Sequence, residues 1–485
     1  MPSPLVTLKP AVVWKHFADL LRVPRPSGHE EKAIAHVMAW AKANGLEAVQ
    51  DGVGNMVVRV PATRGHEEAR AVILQSHLDM VAEKDKATVF DFLVDPIEVE
   101  IEGDWVVARR TTMGGDNGIG VATAMAVADD PKAVHGPLEL LFTVDEESAL
   151  TGALGLDGSM LRGRTLINLD SEEDWTLFVG CAGGCTSEIF YGLERAAAPA
   201  GSTALRIEVK GLVGGHSGLC IHENRGNAIK VLARLLASLD RTHDVLVDSI
   251  EGGNKHNAIP REAAAVVVVP RALADGARSS AEEVVGAVQS EIGAIDPGLA
   301  VSIEVQAGAR APGTATSSRR LIRLLTGLPH GVVVMSRDIA GSPETSTNLA
   351  IVETRGDEVK ITTSSRSSVA AALRGILDQT SAVAALAGAR VDEIAAYPGW
   401  KPDMSSRLLE VCRGAYRDLN GSDPTVTAVH AGLECGVIGE KLGGAVDMIS
   451  FGPHLQGVHA PGESMNIPSV AKFYGLLLAV LERLA

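Results

Sequence analysis

What this chain has little of removes several classes of function. No apolar run is long enough to span a bilayer, and Met1 to Pro10 lacks the apolar stretch of a secretory leader. Positive charge is short: 44 Lys and Arg stand against 60 Asp and Glu. The resulting formal charge of -16 disfavours nucleic acid and anionic membrane as partners, because either needs a basic face. Cysteine is rare, with five in 485 residues. An odd, scattered set argues against a disulfide framework. Cys181 and Cys185 flank a Gly-rich turn, but no second pair completes a thiolate metal site. Buried free thiols and a cytoplasmic compartment are the expectation. What remains is a globular composition, 46% hydrophobic and 21% charged, in a chain too long for one ordinary core.

The first third alternates helix and strand patterns. Helical spacing covers 11–22 and 30–44, and a further helix is expected over 119–128. Short apolar runs at 71–76, 138–144 and 165–169 read as strands that stop at His77, Asp145 and Asp170. Alternation of this kind predicts an α/β fold with a mainly parallel central sheet covered on both faces. The acids then fall just beyond the carboxyl ends of strands, where open α/β sheets place their sites. From about Ser187 the texture changes to two successive α+β patterns, until Tyr397-Pro-Gly-Trp-Lys-Pro402 punctuates the chain. A closing apolar helix follows over 470–484. The expected organisation is a catalytic domain in two parts, 1–186 and 399–485, interrupted by an inserted domain at 187–398.

Five separated clusters carry chemistry: His77-Leu78-Asp79, Asp116-Asn117, Asp145-Glu146-Glu147, Asp170 and His459. So many carboxylates and imidazoles at strand ends call for a neutralising cation. Three carboxylates and two histidines are too many for one tetrahedral zinc, but they suit two ions sharing a bridging carboxylate. His77 and Asp79 lie two apart on an extended segment, so they point the same way, and Asp79 is placed to hold the second ring nitrogen. Gly114 to Gly120 is not a nucleotide loop, because threonine stands at 123 where a glycine is required. Asp116 reads better as a bridging ligand in a tight turn. Adjacent side chains diverge, so Glu146 and Glu147 can divide the work of ligand and proton shuttle. His459 lies in an irregular loop, where His454 competes for its role.

The order of these segments resembles the co-catalytic zinc aminoacylase and carboxypeptidase superfamily, and within it the aminoacyl-histidine or cytosol non-specific dipeptidases. The resemblance rests on Ser76-His-Leu-Asp-Met80, Thr112-Met-Gly-Gly-Asp-Asn-Gly-Ile-Gly120, Thr143-Val-Asp-Glu-Glu147, Asn168-Leu-Asp-Ser-Glu172, Gly214-Gly-His-Ser-Gly218 and His430-Ala-Gly-Leu-Glu434. It runs from about Leu20 to Pro468.

The resemblance implies that one metal takes His77, Asp116 and Asp170, and the other Asp116, Glu147 and His459. Glu146 would be the general base and Asp79 the orienter of His77. His216, in the inserted domain, would stabilise the oxyanion. Asn257 and Arg366 would bind substrate, with backbone contacts from Gly432, and an arginine fork suits a peptide's terminal carboxylate. A cis peptide after Asp116 is also implied. The expected fold is then a zinc-peptidase-like catalytic domain with an α+β lid of two sandwich-like units, forming a homodimer through the lid. The expected activity is metal-dependent hydrolysis of unblocked dipeptides, Xaa-His and carnosine-like substrates among them. Two divalent ions are expected, most simply zinc, with manganese and cobalt compatible. The rivals are a deacylase or tripeptidase of the same superfamily, and a non-catalytic peptide-binding scaffold.

Overall fold

The apolar runs that stop at His77, Asp145 and Asp170 form the strands Val72–His77, Leu138–Thr143 and Thr165–Asn168. All six residues of each of the first two are buried, as expected for strands covered on both faces. They run parallel, with Leu74 opposite both Leu140 and Ile167. Asp447–Ser450, far along the chain, adds another parallel strand beside Thr165–Asn168. One edge is antiparallel: Met56–Val60 pairs with Leu138–Thr143, and Glu47–Gln50 pairs with Met56–Val60. This eight-stranded sheet is therefore mixed, with a parallel centre that sends three strand ends, and the residues just past them, to one edge.

The computed structural model describes residues 4–242, 244–306 and 311–485. They divide into two units: Met1–Gly180 with Pro402–Ala428 and Leu433–Ala485, and Cys181–Lys401 with Val429–Gly432. The sequence reading cuts at 186/187 and 398/399; the units change over at 180/181 and 401/402, and the second unit also takes four residues around Ala431.

In the first unit the helix Gly115–Asp129 is buried on nearly every side from Ile119 to Val127, because it packs between the strand Val72–His77 and the helix Ala11–Leu20. Its start is irregular. Asp116 (φ -81, ψ 111) and Asn117 (φ -109, ψ 31) are non-helical, and the peptide between them is cis.

The second unit is built on one nine-stranded antiparallel sheet. Its two α+β halves meet where Leu246–Gly252 pairs with Pro343–Arg355, through Glu251 opposite Glu353 and Gly252 opposite Val352. The helix Ala228–Thr242 buries Leu232, Leu235, Leu236 and Leu239, one stripe at helical spacing. That stripe shares a core with Leu205, Val267, Leu321 and Ile361, drawn from both halves. The Gly-rich turn expected between Cys181 and Cys185 is instead the start of the ten-residue strand Gly183–Gly192, which lies next to the last strand, Arg390–Tyr397, in this sheet. Cys181 and Cys185 are both buried.

Candidate active site

The first unit gathers the five clusters around Asp116. His77 Nε2 lies 3.1 Å from Asp116 Oδ1 and 3.3 Å from Asp170 Oδ1. The other Asp116 oxygen, Oδ2, lies 3.1 Å from His459 Nε2, which is also 2.9 Å from Glu147. Two triplets thus share one carboxylate: His77, Asp116 and Asp170 on one side, and Asp116, Glu147 and His459 on the other, with donor atoms in each lying within 4.8 Å of one another. His454 is not part of either; its ring faces Trp105, Gln456 and the Glu172 carbonyl. Glu146 groups with His77 and Glu147. A further acidic group, Glu30, Asp79 and Asp145, is occupied by backbone amides: Glu30 accepts from Gly28 and Asp145, and Asp79 from Glu146 and Glu147.

Local structure explains how the segments that carry these side chains are held. Asp79 is fully buried and stands 3.2 Å from His77 Nδ1. Glu146 N–H (3.0 Å), Glu147 N–H (3.1 Å) and Ser27 Oγ (2.7 Å) all donate to it. Arg25, 3% exposed, donates to the carbonyls of Leu78 (2.9 Å), Asp79 (2.8 Å) and Gly114. Glu463, four residues past His459, accepts from the amides of Met113 (2.7 Å), Gly114 (3.1 Å) and Gly115 (2.8 Å). The turn bearing Asp116 is thereby bracketed by a buried cation and a buried carboxylate. Its glycines are needed for that approach: Gly114 has φ +68, and a Cβ there would come 2.6 Å from Arg25 Nη2. Neither Arg25 nor Glu463 belonged to the sequence-derived set. Arg25 is a lone cation in a Pro-flanked loop, and the position of Glu463 beside His459 is the only signal it carried. Glu434 is another such residue. It is buried, accepts from Gln75 Nε2 (2.5 Å) and Thr143 Oγ1 (2.7 Å), and burial pushes its carboxyl up to about 7.

Burial opposes ionisation of every acid here, and it pushes Asp170 and Glu146 well above the usual carboxylate range. Asp116 is held below that range because, against burial, both histidines bond to it. His459 is pushed up to about 11 by its bonds to Asp116 and Glu147. Asp170 Oδ1 is buried and receives no hydrogen bond, so it is an oxygen that needs a cation or a proton. Nitrogen and oxygen donors without thiolate, with one carboxylate offered to two triplets, fit a pair of zinc-like divalent ions.

In the second unit His216 sits on the two-residue strand Gly215–His216, which pairs with Ala258–Ile259. Its Nδ1 accepts from Gly218 and Leu219 amides, both at 3.2 Å, so the neutral ring carries its proton on Nε2. Burial, aided by the Arg366 charge, pushes this imidazole down to about 4. Asn257 shares a cleft of ≈ 850 Å³ with His216, but Arg366 does not line it. Arg366 stands instead on the strand Glu358–Ser367, 8% exposed, with Nη1 donating to Tyr397 Oη at 3.0 Å. Gly432 packs on the same tyrosine, where a Cβ would lie 3.1 Å from the ring. Among the described residues, no helix is long and apolar enough to cross a membrane.

A model of the peptidase dimerisation domain matches residues 207–297. The cytosol non-specific dipeptidase of Escherichia coli (strain K12) is 40% identical over 482 residues, which is 99% of each chain. The crystal structure of aminoacylhistidine dipeptidase from Vibrio alginolyticus superposes with a TM-score of 0.94 at 37% identity, covering 99% of this chain and 98% of that one. Aminopeptidase PepT from Bacillus cereus shares the fold, with a TM-score of 0.56 at 16% identity over 98% of this chain and 99% of that one.

Proposed function

Because this chain belongs to the family of cytosol non-specific and aminoacylhistidine dipeptidases, we propose that it hydrolyses unblocked dipeptides at the site around Asp116. The observation that carries this reading is the division of the Asp116 carboxylate, one oxygen toward His77 and the other toward His459. His77, Asp116 and Asp170 would hold one divalent ion, and Asp116, Glu147 and His459 a second. Such ions, zinc being the simplest fit, supply Lewis-acid polarisation of a carbonyl and a more acidic water.

The chain's own residues do the rest. Asp79 fixes the His77 ring and, through the Glu146 and Glu147 amides, the turn that carries both glutamates. Glu146 has no assigned ligand role, and burial raises its affinity for a proton, which suits a base that takes the proton of the attacking water and passes it to the leaving amine. His216 stays neutral with its proton on Nε2, the form that donates a hydrogen bond to developing negative charge. Arg366 is the carboxylate-reading cation, and Asn257 a further substrate contact. Xaa-His dipeptides fall within the proposed range, the working compartment is the cytoplasm, and the dimerisation-domain match at 207–297 supports a homodimer. Comparing turnover of a dipeptide, the matching tripeptide and an N-acyl amino acid tests the reading. Hydrolysis of the dipeptide alone supports it, and preference for either of the others turns it toward a tripeptidase or a deacylase.

A further inference from the structure

Arg366 is one member of a row that crosses four neighbouring strands. Ser346 lies opposite Arg366, Arg366 opposite Gly184, and Gly184 opposite Tyr397. Directly paired residues in an antiparallel sheet share a face, so this row lies on one surface. At one end Ser346 Oγ is 2.7 Å from His430 Nε2. At the other, the Tyr397 phenol reaches across Gly184 to Arg366. A Cβ at Gly184 would lie 2.6 Å from Tyr397 Oη and 2.7 Å from Cζ, so only glycine leaves the path open. The backbone before Tyr397 is shaped for this reach. The register slips between Ile394 and Tyr397, and Ala395 adopts φ 51, a left-handed conformation that a non-glycine residue seldom takes. Bulges of this kind re-aim a side chain.

The hydrogen-bond accounting leaves donors over. Arg366 Nε is buried without a partner, and no carboxylate among the described residues pairs with the guanidinium. Tyr397 Oη accepts from Arg366 Nη1, which leaves its own proton free to donate. His216, His256 and His430 are all pushed down, by burial first and by the Arg366 charge next, so no neighbouring imidazole adds a competing cation near neutral pH. A fixed cation with an unmatched N–H beside a free phenol is a receptor for a small anion.

We propose that Tyr397 is the second half of the substrate-carboxylate site: it holds the Arg366 guanidinium across Gly184 and offers its own hydroxyl to the same carboxylate. This rests on the reading of Arg366 as the carboxylate-reading residue. The test compares a dipeptide with its C-terminal amide in wild type, Arg366→Met, Tyr397→Phe and Gly184→Ala. Tyr397→Phe keeps the ring and is expected to raise KM for the free acid by roughly tenfold, the scale of one hydrogen bond to a charged group, with the amide unchanged. Gly184→Ala displaces the phenol and is expected to shift the same ratio in the same direction. If Arg366→Met is selective for the acid while Tyr397→Phe and Gly184→Ala are not, this inference is overturned and the Arg366 reading stands. If Arg366→Met weakens acid and amide equally, both are overturned.

Discussion

Asp79 stands 3.2 Å from His77 Nδ1 and receives the amide protons of Glu146 and Glu147, so one buried carboxylate ties His77 to the turn that carries both glutamates. Asp79→Ala should therefore disturb more than one ring. Losing a carboxylate of this kind typically costs 10–100-fold in metal affinity or activity, and here both His77 and the glutamate turn are loosened. Titration with a metal-buffering chelator measures it, and wild-type affinity in Asp79→Ala would show that the contact only packs.

Glu146 and Glu147 are adjacent but differently placed: only Glu147 lies within 2.9 Å of His459. Glu146→Gln should retain metal while kcat falls by at least about 10²-fold, the usual scale for a general base. Glu147→Gln should lose metal. Metal analysis alongside kcat separates the two, and the reverse pattern exchanges their roles.

His216→Ala should lower kcat by roughly 10²–10³ and leave metal content unchanged, as removal of one oxyanion donor does. Near-normal turnover in that variant removes the second unit from the chemistry.

The second unit should also be acid-sensitive. His430 is pushed down to about 3 and His330 to about 4, both chiefly by burial, from an ordinary value of 6.5. Unfolding frees these imidazoles to bind protons they do not bind when folded. The stability they allow is thus complete above about pH 6.5 and is lost as pH falls toward 4. Thermal melting from pH 7 to 4 should show this loss, and His330→Asn should flatten the slope. An unchanged slope in His330→Asn would assign the acid sensitivity to other groups.

Much of this was legible in the sequence because the signals were local. Apolar runs that stop at His77, Asp145 and Asp170 mark strand ends, and the glycines around Asp116 mark a turn at a helix start. The inserted α+β character followed from spacing, but its continuity did not: the pairing of Glu251 with Glu353 that joins the two halves leaves no trace in either segment. The segment between Cys181 and Cys185 reads as a turn because Gly-Gly has low strand propensity, yet it opens a strand, and there Gly184 clears a path for the Tyr397 phenol. Arg25 and Glu463 escaped notice for a related reason. They bracket the Asp116 turn from positions 25 and 463, and a contact between such distant positions has no local pattern.

The central claim is that Asp116 serves two ions at once, and metal stoichiometry tests it most directly. Elemental analysis of metal-replete, fully active enzyme should give two divalent ions per chain, and Asp116→Ala should lower the occupancy of both. One ion per chain in fully active enzyme would contradict the account.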